Sequence, residues 1–256
     1  MIYNNVTNTL RNWCNEMTQH YSDDYQQERS RTGQSVRFLS YLVTSELSYK
    51  LGTIIDKEYP SFEEYRKAVL ALIPLHIDFT LKKELGKIET YYVQTVESAF
   101  REYMESVSPD CISPVVPYNR IICGDEANTI ANRFYEAWKY DTTYWYPLNR
   151  MPGDDKLFIS PDRIEPYLHE IYRLLKLPRE HIYEYGESVY DHPYCAEVDE
   201  LGDYSGCECA FCPKDFSWII YFSHENTVTF AGNIVPRIKE ILRTEQEHWN
   251  RFEWPD

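Results

Sequence analysis

The feature that most constrains the fold of this 256-residue chain is a change in hydrophobic periodicity at a proline-rich segment, residues 108–119. Before it, apolar residues recur every three to four positions, which is typical of amphipathic helices. After it, β-branched and aromatic runs alternate with helical stretches. The three prolines of SPDCISPVVPYN oppose a continuing helix. We therefore predict a helical domain over 1–107, a linker over 108–119 and an α+β domain over 120–256.

The first domain is predicted to be a bundle built from core-facing helical stripes. Ser61 and Glu64 have the spacing of a capping box, which predicts that a helix begins there. Pro74 is expected to kink or break this helix. The other stripes consist of the apolar residues Val6, Leu10, Trp13, Met17 and Tyr21, then Val36, Leu39, Val43 and Leu47, and finally Ile88, Tyr92, Val96, Phe100 and Met104.

The second half is predicted to be a mixed α/β domain that ends in a β-hairpin and a helix. Two β-rich runs, 218–223 and 227–232, are separated by a short polar turn, which is typical of a hairpin. The long segment 186–215 shows no regular periodicity and is predicted to be irregular. Shorter strands are predicted at 121–123, 142–148, 157–159 and 181–185, with helices after Asp125 and Pro161. The predicted fold class is therefore α+β.

Charge is distributed unevenly along the chain. The formal net charge is -15, with 12 basic and 15 acidic residues before position 108 but 14 basic and 26 acidic residues from there on. Such a surface repels phosphate backbones and anionic lipids, and it attracts basic proteins. We expect no nucleic-acid partner and no membrane partner.

The N-terminal residues and the seven cysteines indicate a reducing compartment. The sequence MIYNNVTNTLRNW has neither a basic segment nor an apolar segment of the kind found in signal peptides. The number of cysteines is odd, and the chain is long for a disulfide framework. We therefore expect a cytoplasmic protein with reduced thiols.

A cluster of cysteines in the second half has a spacing that can bind zinc. Cys207, Cys209 and Cys212 form a C-x-C-x-x-C run, and Cys195 lies upstream as the fourth candidate ligand. His192 and His224 flank the run as alternative fourth ligands. A set of reduced thiols that bind no metal is the competing interpretation.

Ser223, His224 and Glu225 are the residue types of a hydrolytic triad, but their consecutive positions argue against one. Neighbouring residues in an extended segment point to opposite faces, so they cannot form a nucleophile, base and orienting carboxylate in sequence. The chain also contains no G-x-S-x-G, phosphate-binding loop or H-E-x-x-H motif. His224 and Glu225 remain candidates for binding or for turn formation.

An acidic, tyrosine-rich segment is the predicted binding surface. Acidic residues without any Lys or Arg extend over 197–208, and the tyrosines at positions 183, 185, 190, 194 and 204 surround them. Charges of one sign steer association, and tyrosines supply contact area at low entropic cost. A solvated acidic loop is the alternative. The predicted partner-binding residues are Tyr194, Asp199, Glu200, Asp203, Tyr204, His224 and Glu225.

Two runs of the second half resemble a known group of proteins. YWYPL (144–148) and WIIYFSHENTVTFAG (218–232), followed by a helix, are similar to segments of small α+β bacterial toxin-immunity proteins and related families. The resemblance implies a cytoplasmic protein that binds and blocks a basic toxin or nuclease. The leading hypothesis is thus a non-enzymatic, acidic binding protein with a basic protein partner. The alternative is a hydrolase-like enzyme, or a zinc-dependent regulator that uses the Cys/His cluster.

Overall fold

The chain divides into two compact units, Met1–Val116 and Pro117–Asp256. The division falls within the proline-rich segment 108–119. The first unit contains helices and the second combines helices with a sheet, so the predicted α+β class is confirmed. This structure, a computed structural model, describes residues 1–32, 38–73, 87–112, 118–141, 156–175, 181–186, 193–196 and 208–251.

The first unit is built around one apolar core. Fully buried side chains from the predicted stripes, such as Leu10, Leu47 and Phe100, pack together there. The Ser61 hydroxyl accepts a hydrogen bond of 3.2 Å from the backbone N–H of Glu64, which confirms the predicted helix cap. The described helices are α1 (Asn4–Thr32), α2 (Phe38–Gly52), α3 (Phe62–Leu70) and α4 (Lys87–Ser106). Pro74 lies outside the described residues.

The second unit contains an antiparallel sheet of seven described strands. The strands are β1 (Asn119–Ile121), β2 (Lys156–Ile159), β3 (Ile182–Gly186), β4 (Tyr194–Ala196), β5 (Cys209–Pro213), β6 (Trp218–Ser223) and β7 (Thr227–Gly232). Their spatial order is β1-β4-β3-β5-β6-β7-β2. Strands β6 and β7 pair from Trp218 opposite Gly232 to Ser223 opposite Thr227, which confirms the predicted hairpin.

Helices cover both faces of this sheet. Helix α5 (Gly124–Trp138) buries Ile130, Phe134 and Trp138 against one face, which we call the α5 face. The other face packs against helices that follow β2 and β7. These are α6 (Pro161–Ile164), a 3-10 turn (Glu165–Tyr167), α7 (Leu168–Leu175), α8 (Val235–Ile241) and a second 3-10 helix (Arg243–His248). The central strands are therefore buried on both sides.

The segment 186–215 was expected to be irregular, yet it contains β4 and β5. Burial on both sides explains why β5 was not predicted. All five residues of β5, CAFCP, are buried, so apolar and polar residues do not alternate along it. The strand predicted at 121–123 lies two residues earlier, at 119–121, because Cys123 is the N-cap of α5. The strand predicted at 142–148 lies outside the described residues.

Candidate functional site

The structure separates the described cysteines that were predicted to bind zinc. Cys209 and Cys212 are three positions apart on β5, so their side chains point to opposite faces of the sheet. Cys195 shares the α5 face with Cys212, but the two lie on strands separated by β3, where Tyr183 is the Cα partner of both. One zinc ion cannot reach ligands on both faces of a sheet. Cys207 and His192 lie outside the described residues.

Burial also opposes metal binding at Cys212. Burial raises the pKa of the Cys212 thiol well above its ordinary value, which opposes the thiolate that a metal requires. Within the part of the chain that the structure describes, no group of three or more His, Cys, Asp or Glu side chains could hold a metal ion. Six of the seven cysteines are described, and all six are free thiols.

The predicted binding surface is only partly described. His224 and Glu225 lie in the turn between β6 and β7, and Tyr194 is the first residue of β4. Asp199, Glu200, Asp203 and Tyr204 lie outside the described residues. Tyr183 and Tyr185 are buried in the aromatic core beneath α5, where Tyr185 packs 5.2 Å from Phe134 between ring centroids. These two tyrosines therefore stabilise the fold and are not part of a contact surface.

A buried carboxylate organises the end of the β6–β7 hairpin. Glu208 directly precedes β5 and is only 4% exposed. Its Oε1 accepts a hydrogen bond of 3.0 Å from the Ser223 hydroxyl and one of 3.2 Å from the backbone N–H of His224. Because β5 pairs with β6 at Cys209 opposite Phe222, Glu208 lies opposite Ser223. The pairing of two neighbouring strands thus places a carboxylate at the hairpin turn.

The ring of His224 lies between two carboxylates. Its Nδ1 contacts Oε1 of the buried Glu208, and its Nε2 lies 3.4 Å from Oε1 of Glu225. Half of the His224 side chain is exposed, whereas Glu208 is inaccessible. Ser223 is not arranged as a nucleophile for His224. Its hydroxyl donates a hydrogen bond to Glu208 and accepts one from the backbone N–H of Glu225. We call Glu208, Ser223, His224 and Glu225 the turn cluster.

Burial determines the ionisation of the central carboxylate. The pKa of Glu208 is raised above its ordinary value because burial disfavours the charged form, while the hydrogen bonds from His224 and Ser223 oppose this shift. Burial also raises the pKa of Tyr140, a fully buried phenol whose shift is increased by the nearby Cys209 and Glu208. The cluster is therefore a half-exposed imidazole above a carboxylate that is costly to ionise.

Glu208 was not among the residues predicted to form a site. Its position in the acidic run 197–208 suggested a solvated side chain, like its neighbours in sequence. Its burial depends on the pairing of β5 with β6, and the segment containing β5 was predicted to be irregular. Once this segment is known to be extended, Glu208 lies on the same face as Ala210 and Cys212, but the sequence shows no alternation that would have indicated it.

Replacing Glu208 with glutamine is expected to weaken the dependence of stability on pH. A raised pKa in the folded state means that the contribution of Glu208 is fully present below the ordinary glutamate pKa. This contribution is lost as the pH rises through the raised value. Glutamine cannot ionise, so the variant should not show this loss. Urea unfolding at a series of pH values, with wild type and Glu208→Gln side by side, measures the difference.

The substitution Ser223→Ala is a control that should strengthen the dependence of stability on pH, whereas Glu208→Gln should weaken it. It removes a hydrogen bond that favours the ionised carboxylate, so the pKa of Glu208 should rise further. The loss of stability with rising pH should then extend over a wider range. Identical pH profiles for wild type, Glu208→Gln and Ser223→Ala would contradict the assignment of this pH dependence to Glu208.

Fold and site together define an α+β protein with a buried carboxylate and a half-exposed imidazole at a hairpin turn. No protein-family profile matches the chain, and neither curated proteins nor solved structures give a significant match. None of the described helices is long and apolar enough to cross a membrane. The function must therefore be argued from the chemistry of this chain.

Proposed function

We propose that this protein is a non-enzymatic, acidic binding protein that inhibits or sequesters a basic protein partner, as toxin-immunity proteins do. The observation that carries the proposal is the charge of the second half, which contains 26 acidic and 14 basic residues. An excess of this size attracts basic proteins over distances of about one Debye length, roughly 8 Å at physiological salt. The acidic segment 197–208 and the turn cluster form the proposed contact region.

The geometry of the turn supports this proposal. The hydrogen bonds from Ser223 and His224 to the buried Glu208 fix the turn of a hairpin whose two strands have six residues each. His224 and Glu225 are then presented to solvent in one conformation. A contact that is ordered before binding loses less conformational entropy when the partner arrives. Glu225 supplies a partly exposed negative charge at this point.

Reversing three charges in the acidic segment is expected to slow association with the basic partner. The variant Asp199→Lys, Glu200→Lys, Asp203→Lys should reduce the association rate on the order of tenfold or more, because steering by opposite charges is lost. The salt dependence of the rate should also become weaker. The 256-residue chain is used to capture its partner from a lysate of its source organism, and surface plasmon resonance at several salt concentrations then gives the rates.

A matched variant in the first unit controls for net charge. Glu63, Glu102 and Asp110 are exposed residues of the helical unit, and replacing all three with lysine changes the net charge by the same amount. This control variant should retain most of the association rate. Equal slowing in both triple variants would show that net charge alone, and not the acidic segment, determines the rate.

The tyrosines are expected to act after the complex has formed. Tyr194→Ala or Tyr204→Ala should mainly accelerate dissociation, on the order of tenfold, because aromatic anchors are held in the formed interface. The same biosensor experiment measures both rates. Failure to capture any basic protein would contradict the proposal. A captured protein whose association and dissociation rates are unchanged by all five substitutions would also contradict it.

Acid–base chemistry at His224 is the second candidate function. The contact between Nδ1 and the buried Glu208 is the observation that favours it, since a carboxylate at Nδ1 orients an imidazole for proton transfer at Nε2. Nε2, however, faces Glu225 and not a hydroxyl nucleophile. If the chain captures no basic partner, acid–base chemistry at His224 becomes the proposed function.

A further inference from the structure

The buried polar side chains of the second unit lie on one face of its sheet. Val228 and Phe230 of β7 belong to the core on the face opposite α5, so Thr227 and Thr229, which alternate with them, point to the α5 face. The same alternation places Ser223 of β6 on the α5 face. In the described part of this unit, every buried Ser, Thr or charged side chain lies on that face. These residues are Ser160, Glu208, Ser223, Thr227 and Thr229, each at most 6% exposed.

Strand pairing aligns four of these residues in a row across β5, β6, β7 and β2. Ser223 is the Cα partner of Thr227, and Glu208 lies opposite Ser223 on the other side. The register of β2 with β7 places Ser160 opposite Thr227. Nδ2 of Asn226 donates a hydrogen bond of 3.4 Å to the Ser160 hydroxyl, which ties this end of the row to the hairpin turn. We call Glu208, Ser223, Thr227 and Ser160 the polar row.

One oxygen atom of the polar row lacks a hydrogen bond. Oε1 of Glu208 accepts bonds from Ser223 and His224, whereas Oε2 is buried and has no partner in the part of the chain that the structure describes. A buried acceptor without a donor is costly, so Oε2 is a favourable position for a donor from a bound molecule. Among the described residues, no Lys or Arg forms an ion pair with Glu208. A donor that also brings positive charge would therefore be favoured most.

We propose that the polar row binds a small molecule that carries a primary ammonium group. The ammonium would donate to Oε2 of Glu208 in a charge-assisted hydrogen bond, which is stronger than a neutral one. A hydroxyl oxygen accepts through two lone pairs, so Thr227 supplies an acceptor for another N–H of the ligand. Because each member of the row is at most 6% exposed, the ligand must be small enough for the protein to enclose it. Binding of such a molecule does not depend on the protein partner proposed above.

The neighbouring row of the α5 face suits the hydrocarbon part of this ligand. Tyr221 and Phe158 are the Cα partners of Thr229 on its two sides, and Ala210 pairs with Tyr221. All four residues are buried. Aromatic rings contact apolar stems and also attract ammonium groups through their faces. The two rows thus combine a carboxylate, hydroxyls and aromatic rings, which are the groups that recognise an alkylammonium ion.

Isothermal titration calorimetry of the 256-residue chain with butylammonium chloride tests the proposal. The wild type should bind this probe with one-to-one stoichiometry. The affinity for 1-butanol, which lacks the charge, and for tetramethylammonium, which lacks N–H donors, should be lower on the order of tenfold. Glu208→Gln should lower the affinity for butylammonium on the order of tenfold or more, because the amide carries no charge. Thr227→Val should lower it about threefold, and Thr227→Ser, which keeps the hydroxyl, should retain it.

Glu184→Gln is the matched control for the loss of a carboxylate. Burial raises the pKa of Glu184 as it does that of Glu208, but Glu184 lies on the opposite face of the sheet, beside Cys209. This variant should bind butylammonium as tightly as the wild type. Should Glu208→Gln fail to fold, the comparison of Thr227→Val with Thr227→Ser decides. A wild type that binds no butylammonium, or binds 1-butanol equally well, would overturn the proposal, as would an equal loss of affinity in Glu184→Gln.

Discussion

Replacing Gly232 with alanine is expected to lower the free energy of unfolding by about 2–4 kcal/mol, because backbone strain and overpacking act together. Gly232 ends β7 with a φ of +85°, a conformation that residues with a Cβ rarely adopt. An added Cβ would lie 2.5 Å from the carbonyl oxygen of Ser217 and 2.7 Å from Cη2 of Trp138. Strand β6 and helix α5 would both have to move. Chemical denaturation of the two proteins measures the loss.

Gly124 provides the matched control for this substitution. It also has a left-handed φ, +62°, but an added Cβ would meet nothing within 4 Å. Gly124→Ala should therefore show only the conformational cost of about 1 kcal/mol. The difference between the two variants isolates the steric contribution at Gly232. Equal losses at both positions would contradict the close approach of β6 and α5 to Gly232.

Truncating Phe134 to alanine is expected to cost about 3–5 kcal/mol of stability, the usual range for a large buried aromatic side chain. Phe134 is completely buried in the centre of the α5 face. Its ring packs at centroid distances of 5.1 Å from Phe216, 5.2 Å from Tyr185 and 6.1 Å from Tyr140. Alanine would leave a cavity among three aromatic rings that cannot all close it. Urea unfolding followed by circular dichroism gives the loss.

Tyr135 is the matched control on the same helix. It is the next residue of α5, yet it is 51% exposed, with the Lys139 ammonium 5.1 Å from its ring centroid. Tyr135→Ala removes an aromatic ring of similar size one position further along the helix, and it should cost less than about 1 kcal/mol. A comparable loss at positions 134 and 135 would show that α5 is not packed on the sheet through Phe134.

The candidate site was only half predictable. His224 and Glu225 were named from sequence, because a polar turn between two β-rich runs is a local pattern. Glu208 was not, because its burial arises from the pairing of β5 with β6. The zinc hypothesis did not take strand β5 into account. Because CAFCP is extended there, Cys209 and Cys212 point to opposite faces of the sheet. Spacing along the chain indicates a metal site only when the local conformation is known.

The sequence by itself determined the helical first unit, the cap at Ser61, the hairpin at 218–232 and the acidity of the second half. Each of these depends on residues close together in the chain, where periodicity, capping and turn chemistry act. Only the tertiary structure decided which of the other strands became neighbours. It brought Ser223 to Glu208 across 15 positions and Phe158 to Asn250 across 92. Such contacts depend on sheet order, which arises when apolar faces are buried together and leaves no local trace in the sequence.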